Sequence, residues 1–179
     1  QIQASNVILI GPGLGTSPLA QKTLALVLAQ TSPEQILIID GSALDLLAEK
    51  DQIDWPTQKL ALTPHQKEWE RLSGIAIAQQ NQENTQTALA IFPSQTILVA
   101  KSHKTRIYDQ AGQVGELAVG GPYQATGGMG DTLTGMITGF VAQFRDDLFE
   151  SVAAASYLHS AIADSLAQDA YVVLPTSIS

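Results

Sequence analysis

The segment with the clearest structural meaning reads Ala125-Thr126-Gly127-Gly128-Met129-Gly130-Asp131-Thr132-Leu133-Thr134-Gly135. Its three closely spaced glycines allow a sharp backbone turn that points several N–H groups at one spot. The residues that follow have helical periodicity, so the positive end of a helix dipole adds to those N–H groups. We therefore predict that Gly127, Gly128 and Gly130 form an anion hole at the start of a helix over Asp131–Gln143.

Asp131 falls in the first turn of that predicted helix, where the dipole stabilises its ionised form. A fixed carboxylate beside a phosphate site can take the proton from a substrate hydroxyl as the hydroxyl oxygen attacks phosphorus. In the alternative interpretation, Asp131 only caps the helix and the glycines only form a turn. The apolar helix that follows favours the catalytic interpretation.

Upstream of the glycine segment, short apolar runs bounded by glycine or proline alternate with longer stretches of helical periodicity. This alternation predicts an α/β fold with a mainly parallel sheet covered by helices. The predicted strands are Val7–Ile10, Ile36–Ile39, Leu60–Leu62 and Ile97–Ala100. The predicted helices between them are Pro18–Gln30, Ala43–Lys50, Pro64–Leu72 and Glu83–Ile91.

The third of these helices has the best-defined ends, with Thr63 as the predicted cap and Gly74 just past the last turn. This prediction places His65 in the first turn. Beyond Ala100 we expect a β-hairpin, and near the carboxyl terminus a second long helix. The hairpin strands are Thr105–Tyr108 and Val114–Val119, joined by a turn at residues 109–112, and the helix is Asp146–Leu166.

Composition limits the classes of function. The chain has 179 residues, 45% of them apolar, which suits one domain with a substantial core. Its net charge of −8 and scattered lysines and arginines exclude a nucleic-acid or anionic-membrane footprint, so we expect a small-molecule partner. Cysteine is absent and residues 1–5 do not resemble a signal peptide, which together predict a cytoplasmic protein.

Three further groups of polar or glycine residues follow predicted strands, where open α/β sheets bind ligands. Gly13 lies in a glycine-rich turn that lacks the last glycine of a dinucleotide fingerprint, so it is either a structural turn or a close contact with substrate. Asp40 either caps the next helix or lies near metal-bound phosphates. The third group can reach nucleotide phosphates or line a purine pocket, unless it is simply solvated; it consists of Lys101, Ser102, His103, Lys104 and Thr105.

The three histidines share no metal-ligand spacing, so we do not expect zinc. His159 lies in an apolar helix and is predicted to be a satisfied core residue. His65, after a strand end, is better placed to contact substrate. No metal ligand is assigned, although an indirect role for Asp40 stays open.

Five segments in order resemble the ADP/ATP-dependent NAD(P)H-hydrate dehydratase family of the ribokinase-like superfamily. They are IGPGLG at Ile10–Gly15, LIIDGSALDLLAE at Leu37–Glu49, LTPH at Leu62–His65, Lys101–Thr105, and ATGGMGDTLTGMITG at Ala125–Gly139. The resemblance implies a three-layer sandwich and a hydro-lyase that repairs hydrated NADH and NADPH. It also implies that a nucleotide phosphorylates the ring hydroxyl and that loss of phosphate restores the dihydropyridine.

Carried over by motif, Gly13, His65 and Asp131 bind the hydrated cofactor, with Asp131 as the base. Lys101–Thr105 and Gly130 bind the adenine nucleotide, which is ADP or ATP used with Mg²⁺. The resemblance further implies a homo-oligomer, sometimes with a fused or partner epimerase domain.

The sequence departs from the family pattern at Ser42, which replaces an acidic residue, and at Lys67, which replaces a glycine. We also expect residues 1–179 to form a single ribokinase-like catalytic domain without the family's N-terminal segment. Two alternatives stay open, namely a small-molecule kinase for a vitamin precursor or sugar, and a non-catalytic nucleotide-binding module.

Overall fold

Consecutive apolar strands build one mixed sheet in the computed structural model, which describes residues 2–178. Within that range the strands are β1 (Val7–Ile10), β2 (Ile36–Ile39), β3 (Lys59–Leu62), β4 (Gln95–Ala100), β5 (Arg106–Tyr108) and β6 (Val114–Glu116). They lie side by side in chain order. Strands β1 to β4 are parallel, and β5 and β6 add antiparallel to β4 as a hairpin.

Helices cover both faces of this sheet. They are α1 (Pro18–Gln30), α2 (Ser42–Ala48), α3 (Gln66–Ser73), α4 (Gln82–Leu89), α5 (Met129–Gln143), α6 (Leu148–Leu166) and a short α7 (Pro175–Ile178). Single turns of 3₁₀ helix occur at Ile2–Ala4, Ile77–Gln79 and Pro122–Gln124. None of the helices within residues 2–178 has the length and apolar character needed to cross a bilayer.

Alternating residues of the strands feed two separate cores. Leu37 and Ile39 of β2 pack with α1, α2 and Trp69 of α3 on one face. Ile36 and Ile38 of the same strand pack with α5 and α6 on the other face. All four β2 side chains are buried, as expected for a parallel strand covered on both sides, and each contributes about 1.5–3 kcal/mol by leaving water.

The three-layer α/β sandwich predicted from the sequence is confirmed, as are the four parallel strands and the hairpin, whose strands are shorter than predicted. Helix α5 begins two residues before the predicted start, at Met129. The predicted start of α3 is wrong: His65, not Thr63, is its N-cap, because the Thr63 hydroxyl bonds instead to the carboxylate of Asp40. Gly74 ends α3 in the left-handed conformation, as predicted.

Candidate active site

The predicted site residues lie in loops that leave the carboxyl ends of the parallel strands. Gly13 follows β1, Asp40 follows β2, His65 follows β3 and Lys101 follows β4. His65 and Lys101 are paired by a parallel bridge, with the Lys101 N–H donating to the Pro64 carbonyl at 2.9 Å. The fold therefore collects four of the predicted positions at one edge of the sheet.

Asp40 is the most connected of these residues. One of its carboxylate oxygens, Oδ1, accepts from the Thr63 hydroxyl at 2.7 Å and from the Lys101 ammonium at 2.8 Å. Its other oxygen, Oδ2, lies 3.3 Å from the hydroxyl of Thr134 on α5. Asp40 does not cap α2, which begins after Gly41 without a side-chain cap, so the capping interpretation is wrong. The carboxylate instead fixes Lys101 and links three strand ends to the helix that carries Asp131.

Lys101 reaches the glycine segment through this contact. A side-chain carbon at Gly130 would lie 3.4 Å from Lys101 Nζ and 3.8 Å from Asp40 Oδ2. Both distances are ordinary van der Waals contacts, so the backbone of α5 lies directly beside the partly buried ion pair. As a result Lys101 and Gly130, both predicted to contact nucleotide, lie next to each other.

The start of α5 has the features of an anion site. Gly128 is the N-cap, with a φ of +90° and no capping side chain. Within residues 2–178, the N–H groups of Gly127, Gly128, Gly130 and Asp131 have no hydrogen-bond acceptor. Such unpaired N–H groups at the positive end of a helix favour a bound anion. Asp131 is in the first turn with an exposed side chain, so it is free to contact a ligand there.

The tautomer of the neutral His65 ring is defined because His65 caps α3. Its Nδ1 accepts from the backbone N–H groups of Lys67 and Glu68 at 3.1 and 3.0 Å. In the neutral ring the proton is therefore on Nε2, which lies 3.5 Å from a Glu68 oxygen. The other Glu68 oxygen accepts from the His65 N–H at 2.7 Å, which completes a capping box. More than half of the His65 side chain is exposed, so Nε2–H can be donated to a ligand.

The loop after β1 is tied to the loop after β2. Ser42 accepts from the Gly15 N–H at 2.9 Å and donates to the Gly11 carbonyl at 3.2 Å. Gly11 lies so close to the Asp40 backbone that an added side-chain carbon would be 1.6 Å from the Asp40 carbonyl oxygen. Gly13, by contrast, projects into open space with a φ of +66°. Ser42 is thus a structural link between two loops.

The remaining residues of the Lys101–Thr105 segment are largely exposed. The Ser102 hydroxyl and the Lys104 backbone bond to each other, which shapes the turn. His103 is also exposed. A small cavity of about 50 Å³ lies between His65, Lys101 and the buried Trp69, whose indole N–H has no partner within residues 2–178.

Neither Asp40 nor its neighbours form a cage for Mg²⁺. The Asp40 carboxylate is engaged by an ammonium group and hydroxyls, and its side chain is 3% exposed. Across residues 2–178, no group of three or more His, Cys, Asp or Glu side chains is arranged to hold a metal ion. Mg²⁺ is usually bound through substrate phosphates and waters with one or two carboxylates, so a protein cage is not required for its use with a nucleotide.

His159 is a buried residue, as predicted, but it is satisfied at one nitrogen only. Its imidazole hydrogen-bonds to the backbone of Met129 at the start of α5, while Nε2 has no partner within residues 2–178. Burial lowers the pKa of His159, and the contact with Met129 opposes that shift. His159 therefore supports the glycine segment from the α6 side.

Several residues of the site were not predicted from the sequence, namely Thr63, Thr134 and Glu68 as hydrogen-bonding partners. The spacing in the sequence could have indicated Thr134, because residues three apart in a helix lie close together and Thr134 follows Asp131 by three. Thr63 stands at the end of β3 as Asp40 stands after β2. Strand-end position places their loops at the same edge of the sheet, but it does not indicate which side chains bond to each other.

Solved structures that resemble this chain share its ribokinase-like fold. A crystal structure of a ribokinase-like superfamily protein from Enterococcus faecalis is similar, with a TM-score of 0.93 and 47% identity over 99% of this chain and 61% of that one. These features define a ribokinase-like domain.

The family model of NAD(P)H-hydrate dehydratase matches residues 1–179. The chain belongs to the NAD(P)H-hydrate dehydratase family. An ADP-dependent (S)-NAD(P)H-hydrate dehydratase of Streptococcus thermophilus is 60% identical over 180 residues, which cover 100% of this chain and 64% of that protein. The Bacillus subtilis ADP/ATP-dependent enzyme, co-crystallised with ATP and Mg²⁺, has a TM-score of 0.81 and 28% identity, covering 99% of this chain and 64% of that one. This chain therefore spans less than two thirds of the relatives it matches.

Proposed function

We propose that residues 1–179 form the catalytic domain of an ADP-dependent hydro-lyase that repairs hydrated NADH and NADPH. The observation that carries this proposal is the position of Asp131. It is exposed in the first turn of α5, one residue from Gly130, whose backbone approaches Lys101. A carboxylate, a cation and unpaired N–H groups meet there, which suits proton removal beside a phosphate.

The chemistry has two stages. Asp131 accepts the proton of the ring hydroxyl as the hydroxyl oxygen bonds to the terminal phosphorus of the nucleotide. The bond from that phosphorus to the nucleotide's bridging oxygen breaks, leaving AMP from ADP or ADP from ATP. The ring carbon–oxygen bond then breaks, phosphate leaves, and a proton lost from the adjacent carbon restores the double bond.

The other site residues hold the two substrates around this centre. We assign Lys101–Thr105 and Gly130 to the nucleotide, because the Lys101 ammonium is fixed by Asp40 beside the unpaired N–H groups. We assign Gly13 and His65 to the hydrated cofactor, since Gly13 leaves room for close approach and His65 offers Nε2–H. Gly127, Gly128 and Gly130 stabilise the transferred phosphoryl group.

We propose ADP as the phosphate donor, because the similar Streptococcus thermophilus enzyme is named as ADP-dependent. Mg²⁺ bound to the nucleotide phosphates would neutralise part of their charge. A homo-oligomeric assembly, an associated epimerase domain and a cytoplasmic location stay predictions.

The test follows the near-ultraviolet absorbance of the dihydropyridine ring. The purified chain is mixed with hydrated NADH, Mg²⁺ and either ADP or ATP, and ADP binding is measured separately by calorimetry. We expect absorbance to rise only with nucleotide, and faster with ADP. Asp131→Asn should lower the rate by about 10²-fold or more, while the dissociation constant for ADP changes little.

Each outcome has a distinct meaning. A rate that survives in Asp131→Asn would contradict the role of Asp131 as base. A stable phosphorylated product without restored absorbance would identify a small-molecule kinase instead. Nucleotide binding without turnover of any acceptor by the chain would contradict the proposal that these residues suffice for catalysis.

A further inference from the structure

The loop that leads into α5, residues 120–128, is attached to α6 by one carboxylate oxygen. Asp164 Oδ1 accepts from the Gly120 N–H at 2.9 Å and also from the Tyr123 hydroxyl. Both bonds involve a charged acceptor, which makes them stronger than neutral hydrogen bonds. Asp164 therefore fixes the point where the loop begins.

The backbone of Tyr123 is held by the segment before α7, while its hydroxyl is held by Asp164. Its backbone carbonyl accepts from the Val173 N–H at 3.1 Å. Three residues later, the Thr126 hydroxyl donates to the Val173 carbonyl at 3.0 Å. The loop is thus fixed on two elements, α6 and the segment before α7.

These few hydrogen bonds matter because packing on that side of the loop is incomplete. A cavity of about 710 Å³ separates Tyr123 and Thr126 from residues 167–172. Between Thr126 and Asp131 there are three glycines, whose backbone has wide conformational freedom. Packing holds this region at Met129 and Tyr123, which cluster with Ala163 and Val173, but the glycines themselves have no side chains to pack, so their shape depends also on the hydrogen bonds.

We propose that Asp164 and Tyr123 are positioning residues that set the geometry of the anion hole and of Asp131. This inference rests on the proposed function of that hole. Preorganised N–H groups bind an anion without the cost of ordering a flexible loop at each binding event. Neither side chain contacts the reacting atoms; each acts through the backbone of the loop.

The protonation of Tyr123 is consistent with this role. The Asp164 carboxylate, chiefly through its hydrogen bond, raises the pKa of Tyr123 to about 12. The phenol therefore keeps its proton, and its ability to donate, across the pH range in which enzymes of this kind are assayed.

The test compares Asp164→Ala, Asp164→Asn and Tyr123→Phe with the unmodified chain. Asp169→Ala serves as the control, because Asp169 is an exposed acidic residue of the same region that does not bond to the loop. Three quantities are measured: the dissociation constant for ADP, kcat and KM for hydrated NADH, and hydrogen–deuterium exchange of peptides covering residues 120–131.

We expect Asp164→Ala to weaken ADP binding by about tenfold and to lower kcat by about tenfold or more, with faster exchange in the loop. KM for hydrated NADH should change less than the affinity for ADP, because Gly13 and His65 lie in other loops and only Asp131 would be displaced. Asp164→Asn should recover most of both losses, since its amide oxygen can accept the same two bonds. Tyr123→Phe should fall between these variants.

The ADP and exchange measurements separate this inference from the proposed function. If the unmodified chain does not act on hydrated NADH but binds ADP, a weakened affinity in Asp164→Ala still supports positioning. Unchanged ADP affinity and unchanged exchange in Asp164→Ala would overturn it. Equal losses in Asp164→Ala and Asp169→Ala would overturn it as well, because they would show a general effect of charge.

Discussion

Replacing Asp40 should destabilise the chain through Lys101. The Asp40 and Lys101 side chains are 3% and 21% exposed and lie 2.8 Å apart, so solvent screens their attraction weakly. Asparagine keeps the volume and an acceptor oxygen but removes the charge. We expect Asp40→Asn to lower the free energy of unfolding by about 1.5–3 kcal/mol, the value of a hydrogen bond to a charged group. Asp40→Ala also removes both acceptors and should cost about 3–5 kcal/mol.

The assay is urea unfolding followed by tryptophan fluorescence, since Trp69 is buried near the site. For a chain of this size each 1 kcal/mol corresponds to about 2–4 °C in Tm, so Asp40→Asn should lower Tm by about 3–12 °C. An exposed ion pair provides the control: Arg71 and Asp45 lie 2.6 Å apart but are 50% and 29% exposed. Asp45→Asn should cost less than about 1 kcal/mol.

A double-mutant cycle tests the cause of the effect. Lys101→Met leaves the Asp40 carboxylate buried without its cation, whereas the double variant with Asp40→Asn removes both charges. The double variant should therefore be more stable than the sum of the single effects predicts, by about 1–3 kcal/mol. Single effects that add to within about 0.5 kcal/mol would refute the reasoning, because Asp40 would then stabilise the fold independently of Lys101.

Other predictions concern Gly11 and Gly13 of the loop after β1 and the histidines His159 and His65. Gly11→Ala should prevent folding or cost more than about 3 kcal/mol, because the new methyl group would collide with the Asp40 carbonyl. Gly13→Ala should cost only about 1–2 kcal/mol, because its methyl group meets no atom and only backbone strain remains. Thermal unfolding measures both variants. Burial lowers the pKa of His159 from its ordinary value of 6.5. As the pH falls below that value, the unfolded chain takes up the proton first, so the free energy of unfolding decreases. In His159→Leu, urea unfolding at mildly acidic pH should show a smaller decrease in the free energy of unfolding than in the unmodified chain. Nitrogen chemical shifts of the neutral His65 ring should show a protonated Nε2 and an unprotonated Nδ1, and the opposite tautomer would contradict its capping role.

The strands and helices were predictable because their signals are local. β2 is a continuous apolar run, and α1 starts at a proline preceded by a capping serine, so both were placed correctly from the sequence. The start of α3 was not, because capping depends on partners that are distant in the chain. Thr63 was available as a cap only until the fold brought Asp40, 23 residues away, to its hydroxyl.

The candidate site shows the same division. The glycine turn and the helix start that carry Asp131 could be predicted because they are contiguous in sequence, while the catalytic role of Asp131 stays a prediction. The partner of Lys101 could not, since Asp40 lies 61 residues before it and only the parallel pairing of the strands brings them together. Asp164, 44 residues beyond Gly120, was missed for the same reason: no local pattern marks a carboxylate that bonds to a remote loop.

The order of the strands also affects how this site can change over evolution. Because β1 to β4 are adjacent in chain order, Gly13 and Lys101 belong to loops three strand spacings apart, or about 14 Å. Under the proposed function, substitutions in the first loop would therefore alter which acceptor molecule is chosen while the loop after β4 stays unchanged. Such distant changes should combine additively. Asp40 and Ser42 lie between the first loop and the loop after β4, and both contribute hydrogen bonds that hold these loops. A variant library that keeps Asp40 and Ser42 and varies the first loop would therefore test acceptor preference with the least loss of folded protein.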